Sequence, residues 1–420
     1  MGAAAHMFWT RCARDTRMKV DRSGFHIKAA CIGIAFSFAA LAPKVSAEVA
    51  FQPSEKTSIA FYGVLDVAKA YSSNQGGRSN IYTSQGSLTA NRIGLLGSAD
   101  VGADTQVMFR LESGFDAITG KFGTPGYLFN RQAFVGVKNE QYGTLSLGRQ
   151  YTPYFHYTGA LGLAPALTAA TGAHPGDVDA MDATLRLNNS LTYTLPKFGG
   201  WQAGVQYGME GATGHFSRGS TLSAAVRYDH QMFSWSAGYI GLNNIPERKA
   251  IATYANNAPI NRGYNSADSS RILATAARYT SGKRMLGLNY SNVQYRPDAA
   301  RSLFKETAVF NTVGLISTYA LTPSLTLAGG YSYTAEEARN GVRDPAHYHQ
   351  FSTGQLYTLS KYVAFYAVQG YQTAGGKTLG MVNGMSAIVD AVASVGDSQN
   401  GTPSSTPHQF VAMFGVRFTL

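Results

Sequence analysis

The chain has 420 residues, of which 45% are hydrophobic and only 14% charged, with 46 Gly, 25 Tyr, two Cys and a formal net charge of +11. Both cysteines, Cys12 and Cys31, lie in an N-terminal leader, so the remainder has no disulfide, thiol nucleophile or Cys-based metal site. The leader also takes seven of the 35 Lys and Arg and two of the 24 Asp and Glu, leaving +6, which carries no argument for nucleic acid.

Residues 1–47 read as an export address. Arg11, Arg14, Arg17, Lys19, Arg22 and Lys28 precede the apolar run AACIGIAFSFAALA (29–42), and the small-residue site VSA (45–47) follows. A basic n-region, an h-region of this length and an A-x-A-like site make a cleaved secretory signal peptide. A transmembrane helix needs ~20 apolar residues, more than this run offers. Met18 is an alternative start, because MKVDRSGFHIK is itself an adequate n-region.

Beyond residue 47 no uninterrupted apolar run is long enough for a membrane helix, and the pattern is instead alternation of period two. In MFRLESGF (108–115), Arg110 and Glu112 share one strand face while Phe109 and Leu111 share the other. Further along, Leu325, Leu327, Tyr331 and Tyr333 alternate with Ser324, Thr326, Ser332 and Thr334. At the end, Phe410, Ala412, Phe414, Val416, Phe418 and Leu420 oppose Gln409, Arg417 and Thr419.

Such segments predict about sixteen strands. In chain order they are 57–71, 88–98, 103–115, 129–138, 142–150, 187–195, 200–210, 219–230, 232–242, 270–280, 283–295, 306–320, 322–335, 348–359, 361–373 and 405–420. Short connectors (99–102, 139–141, 196–199, 281–282) take turns with long ones (151–186, 243–269, 336–347, 374–404). Weak average hydropathy, strong alternation and short turns alternating with long loops are the signature of an all-β, antiparallel transmembrane barrel. Closure matters because an open sheet edge in lipid leaves amides unpaired, at several kcal/mol each. A soluble β-sandwich is the competing architecture. It accounts poorly for so many long strands with Arg, Gln, Ser and Thr on one face, and for aromatics near strand ends at Tyr62, Tyr207, Trp235, Tyr239 and Tyr319.

Four phrases carry a family resemblance: FYGVLDVAKAYSS (61–73), NRIGLLGSADVGADTQVMFRLESGF (91–115), FNRQAFVGVKNEQYGTLSLGRQYTP (129–153) and RLNNSLTYTLPKFGGWQAGVQYG (186–208). Together they resemble the Gram-negative general porins, in particular their β-proteobacterial branch. The resemblance implies a 16-stranded outer-membrane barrel over 48–420, a homotrimer, and a third loop (151–186) folded into the lumen as a constriction. It also implies assembly by the barrel-assembly machinery and passive passage of small hydrophilic solutes and ions, with no cofactor. Two departures stand out. The chain ends RFTL, with Leu420 where such porins carry phenylalanine, and the loop segment GALGLAPALTAATGAHPG (159–176) matches no known constriction sequence.

Arg92, Arg131 and Arg186 match the positions that supply the basic wall of related porins. Parity independently turns Arg92 and Arg186 inward. Arg131 shares parity with Ala133, Val135 and Val137, so alternation leaves it unassigned and only the resemblance favours the lumen. Arg110 is a candidate to extend the basic wall, with Glu112 two positions away largely neutralising it. Asp177, Asp179 and Asp182 on the third loop are the expected acidic row facing the arginines across the throat, where opposed fixed charges focus a transverse field. The excess of arginine predicts weak anion preference.

Arg149 has the parity of Leu145 and Leu147, the lipid side. An arginine facing mid-bilayer costs ~2–4 kcal/mol. It is therefore expected either at a trimer interface, paired with an acid such as Asp116 from a neighbour's second loop (116–128), or snorkelling to the headgroups.

No enzyme motif is found: there is no G-x-S-x-G, H-E-x-x-H or C-x-x-C. GYQTAGGKT (370–378) echoes a P-loop with its first glycine misplaced, and reads as a flexible outer loop. His347 and His349 share a face, either as two metal ligands or, more simply, as a polar pair. The expected function is an outer-membrane diffusion channel in contact with lipid. A substrate-selective channel, a barrel-embedded hydrolase and a surface adhesin are the alternatives.

Overall fold

The computed structural model describes residues 49–54, 56–182, 185–211, 213, 219–243, 258–396 and 403–420. The expected signal peptide, with Cys12 and Cys31, lies outside the described residues. The strands are β1 (Val49–Ser54), β2 (Thr57–Gln75), β3 (Arg78–Gln85), β4 (Arg92–Gly102), β5 (Thr105–Gly114), β6 (Gln132–Asn139), β7 (Gly143–Tyr151), β8 (Arg186–Thr194), β9 (Trp201–Gly208) and β10 (Thr221–His230). They continue as β11 (Phe233–Asn243), β12 (Ser269–Ser281), β13 (Arg284–Arg296), β14 (Ala308–Ala320), β15 (Leu325–Glu336), β16 (His347–Thr358), β17 (Val363–Gly375), β18 (Lys377–Val382), β19 (Met385–Asp390) and β20 (His408–Thr419).

From β4 to β17 each strand pairs antiparallel with its sequence neighbour, and β20 pairs with both β17 and β2, which closes a barrel of sixteen staves, while β18 and β19 form a separate hairpin. Two staves are composite. β1 pairs with the start of β2 on the same side as β20, and β3 and β4 share the other flank of β2. Leu420 completes the seam: its N–H donates to the Gly63 carbonyl at 2.9 Å, and the Gly63 N–H returns the bond at 3.3 Å. With no open edge, no row of amides faces lipid unpaired.

The alternation has a physical destination on every stave. On β13, Leu286, Leu288 and Tyr290 are exposed outward while Met285, Asn289, Ser291 and Val293 are buried inside. On β20, Phe410, Phe414, Val416 and Phe418 are exposed while Gln409, Val411 and Met413 are buried. A wide apolar outer face with a polar interior is stable only with lipid outside and water within.

Two expectations need correction. The second strand was expected over 88–98; instead β3 and β4 are separated by a turn at 86–91. The segment 370–378 is not a flexible outer loop. It runs from the end of β17 through a turn at Gly376 into the ordered hairpin β18–β19.

The connector between β7 and β8 runs inside the barrel as short helical turns, among them Tyr154–Thr158, Gly159–Leu161, Ala164–Ala166, Ala169–Gly172 and Pro175–Asp177. Inward side chains of successive staves hold it. The Thr158 and Ser236 hydroxyls meet at 2.8 Å, and Arg278 on β12 donates to the carbonyls of Leu161 (3.1 Å) and Gly162 (2.7 Å). Gln350 on β16 donates to those of Thr171 (2.9 Å) and Ala173 (2.6 Å). Beneath the loop the inward positions turn apolar: Tyr154, Leu161, Val178 and Met181 pack with Ile240, Ile272, Val293 and Phe310. The Ala/Gly richness of 159–176 follows from this, because small residues let the loop backbone lie close against the wall.

Candidate pore constriction

The basic wall is assembled by β4, β5, the approach to β6, and the facing ends of β7 and β8. Glu112, 4% exposed, is its centre. Arg131 Nε donates to Glu112 Oε1 at 2.7 Å, the Tyr62 hydroxyl donates to Oε2 at 2.7 Å, and Arg92 Nε lies 3.8 Å from Oε2. Arg110 stands over the Tyr62 ring, its Cζ 5.5 Å from the centroid. Tyr151 organises the second half. Its hydroxyl accepts from Arg186 Nη2 at 2.8 Å and from Arg131 Nη2, and the Arg186 guanidinium lies 4.6 Å from its ring centre. Arg92, Arg110, Arg131 and Arg186 thus form one cluster, and Arg131, which alternation could not assign, belongs to it.

Arg417 on β20 extends this cluster on the side of β2, donating from Nη1 to Thr89 Oγ1 at 3.4 Å. Its place on the polar face of the last strand was legible; its approach to Thr89 was not, because that depends on the turn at 86–91. Tyr62 and Tyr151, the aromatic supports of the wall, were also missed as site residues. Tyr62 was read only as an interfacial aromatic. His156 lies beside Tyr151, ring centres 5.8 Å apart. Burial, with the Arg110 charge adding to it, pushes its imidazole down to about 4, so at neutral pH it adds no charge to the rim.

The loop aspartates do not form the expected opposing row. Asp179 is fully buried with its carboxylate turned toward β13: Oδ2 lies 2.6 Å from His174 Nδ1 and accepts from the Ser291 hydroxyl at 2.6 Å. His174 Nε2 meets Asn289 Nδ2 at 3.2 Å on the same strand. Asp177 is buried, and its Oδ1 accepts the Asp182 N–H at 2.9 Å, while Asp182 itself is half-buried. The cause is the loop's own packing: its polar groups are consumed in fastening it to the wall. Burial opposes ionisation of both Asp179 and His174. Their mutual attraction and hydrogen bonds outweigh it, holding the carboxyl below and the imidazole above their ordinary values. The carboxylate that Arg92 and Arg131 hold is Glu112, on the wall itself.

Beside Arg149 the β7–β8 register shifts, Gly148 pairing with Ser190 but Gln150 with Leu187, so that Asn188 and Asn189 on β8 lie opposite Arg149. Gly148 is at φ +132, and a Cβ there would meet the Ala133 carbonyl at 2.3 Å, so the bulge requires glycine. Arg149 is 6% exposed, covered by its own chain. Nε donates to the Asn130 carbonyl at 2.8 Å, Nη1 to Asn188 Oδ1, and the Tyr127 ring centre is 5.6 Å away. Nη2 is buried and has no hydrogen-bond partner among the described residues. Asp116 caps its own turn, accepting from the N–H groups of Ile118 (2.7 Å) and Thr119 (3.1 Å). His349 Nδ1 meets the Tyr331 hydroxyl at 2.8 Å, and the His347 and His349 ring centres are 6.3 Å apart.

Comparison with known proteins agrees with this architecture. The family model described as Gram-negative porin matches residues 29–377. An outer membrane porin protein of Bordetella pertussis is 27% identical over 268 residues, 60% of this chain and 58% of that protein's length. Outer membrane porin protein 32 of Delftia acidovorans is 24% identical over 367 residues, covering 84% of this chain and 95% of that one. Among solved structures, the anion-selective porin from Comamonas acidovorans superposes with a TM-score of 0.67 at 20% identity, over 87% of this chain and all of that one.

Proposed function

The chain belongs to the Gram-negative porin family and is a barrel of the outer membrane, and from that premise we propose that it is a passive diffusion channel for small hydrophilic solutes and ions, weakly selective for anions. The observation that carries the anion preference is the constriction itself. Arg92, Arg110, Arg131, Arg186 and Arg417 surround the pore wall, and the carboxylates among them are Glu112 and, behind Arg417, Asp66, whose oxygens are committed to the Leu88 and Thr89 N–H groups and the Tyr366 hydroxyl. The loop carboxylates Asp177 and Asp179 are buried in the loop's attachment and Asp182 is half-buried, which leaves the arginines in excess. A unit charge about 6 Å from the ion path is worth about 0.7 kcal/mol at water-like dielectric, roughly a threefold bias in local anion concentration. The Comamonas barrel is named as anion-selective, in keeping with this reading.

The chemistry is translocation, not catalysis. Purified protein added to a planar bilayer is expected to insert as large ohmic steps, and silence from correctly folded barrels would contradict the proposal.

The assembled form in this reading is a homotrimer. Ile118, Phe122 and Leu128, on the connector between β5 and β6, are exposed apolar residues suited to burial against a second copy. Arg149 lies under Tyr127 on the same side, and an acid such as Asp116 from a neighbouring copy is the partner proposed for it. Arg149→Ala is expected to lower the temperature at which the trimer dissociates on gels. Unchanged heat resistance would remove Arg149 from the interface.

A further inference from the structure

The second stave of the barrel is broken in a way that the channel reading does not require. On β2, Val64 pairs with Arg92 and Val67 with Gln85, so the residues of 86–91 lie opposite only Leu65 and Asp66. The surplus chain must leave the sheet. It turns inward, because its hydrogen bonds go to inward groups. The Leu88 and Thr89 N–H groups donate to Asp66 Oδ2 at 3.2 and 2.9 Å, and Asp66 is fully buried. The other carboxylate oxygen accepts the Tyr366 hydroxyl from β17, and the Asp66 carbonyl accepts the Gly86 N–H at 2.9 Å. Asn91 Nδ2 bonds Gln85 Oε1 at 2.8 Å, and the Ser84 and Ser87 hydroxyls meet at 2.8 Å. Gly86 starts the turn at φ +60.

This turn touches both halves of the constriction. Toward the loop, the Ala170 N–H donates to the Ser87 carbonyl at 3.0 Å. Leu88 packs beside Leu167 against a cluster that includes Ala169, Tyr366, Val411 and Met413. Toward the basic wall, Thr89 Oγ1 accepts from Arg417 and the Ala90 carbonyl from Arg92 Nη1, each at 3.4 Å. A buried carboxylate that accepts two backbone N–H groups and a tyrosine hydroxyl is a rigid fastening, since each bond lost would strand a buried polar group.

We propose that residues 86–91 are a second constriction element, a fixed inward turn that clamps the tip of the third loop and holds Arg92 and Arg417 at the pore rim, with Asp66 as its positioning residue. The proposal rests on the channel reading but makes a separate claim: the narrow zone is set from two walls, and Asp66 shapes ion passage without lining the ion path.

The test is a Ser87→Cys, Ala170→Cys pair, in a background with Cys12 and Cys31 replaced by serine. A backbone bond of 3.0 Å between these residues brings their Cα atoms within disulfide range. Mild oxidation of the folded barrel in vesicles is expected to protect both thiols from maleimide almost completely. Adding Asp66→Asn is expected to cut the cross-linking several-fold, raise conductance noise and reduce anion preference. Conducting barrels whose thiols stay free overturn the clamp and leave the channel reading intact. Barrels that cross-link but never conduct overturn the channel reading alone. An Asp66→Asn barrel with wild-type selectivity and noise, altered only in thermal stability, shows a merely structural aspartate and overturns the positioning role. If that variant does not fold, the cysteine pair in the otherwise unaltered protein still decides the clamp.

Discussion

Glu112→Gln is expected to destabilise the folded barrel by about 3–5 kcal/mol, the range for stripping one partner from a buried ion pair. Glu112 and Arg131 are 4% and 7% exposed, and Arg131 Nε is 2.7 Å from the carboxylate. Without that charge Arg131 is a buried cation beside Arg186 and Arg92, and Tyr62 loses the acceptor of its hydroxyl. Equilibrium unfolding in urea from lipid vesicles measures the loss. Combining it with Arg131→Met should recover a large part, because no lone charge is then left inside. A Glu112→Gln barrel within about 0.5 kcal/mol of the original would show that the pair is not the keystone of the wall, since that is the scatter of ordinary surface substitutions. In bilayers the same variant should conduct with a stronger anion preference, because one countercharge has been removed from the cluster.

The attachment of the constriction loop should depend on pH, with a maximum. His174 faces Asp177 and Asp179 on its own loop and Asn289 and Ser291 on β13. Its imidazole is held above its ordinary value. Its contribution is therefore complete below the unfolded value of about 6.5 and is lost as pH rises through the folded one. Asp179 is held below its ordinary value. Its contribution is complete above about 3.9 and is lost as pH falls through its folded one. The two overlap between about pH 4 and 6.5. There the stability difference between the unaltered barrel and His174→Gln should be largest, about 1.5–3 kcal/mol for a buried charge-assisted bond. A difference flat from pH 3 to 9 would remove the ion pair from the account.

The barrel was legible in the sequence because a membrane strand exposes its pattern twice, once to lipid and once to water. Phe410, Phe414 and Phe418 against Gln409 and Arg417 needed no tertiary information. What failed did so for specific reasons. The break at 86–91 was missed because Leu88 and Thr89 continue the alternation of the strand that follows, and their inward turn depends on backbone bonds to the buried Asp66 on a neighbouring stave. Parity could not show what covers Arg149, because Asn130, Asn188 and Tyr127 come from other parts of the chain. The sequence could place Asp177 and Asp179 on the loop but not aim them. Asp179's partner Ser291 lies more than a hundred residues away, on a strand whose polar positions resemble those of any other. Arg278 was missed as a loop anchor for the same reason: it holds carbonyls of Leu161 and Gly162, and a backbone carbonyl leaves no trace in a residue pattern. Arg92, in contrast, lies where parity puts it, on a strand that pairs regularly at that point, whereas β8 shifts register at Asn188 and Asn189 beside Arg186.

The central claim is that a wet pore is lined at its narrowest part by an uncancelled excess of arginine. The most direct measurement is the zero-current potential of the purified protein in a planar bilayer under a KCl gradient. The predicted result is a potential of the sign set by chloride permeating faster than potassium, shrinking toward zero when Arg92 and Arg110 are both replaced by glutamine. A potential of the opposite sign in the unaltered protein, showing clear cation selectivity, would contradict the account.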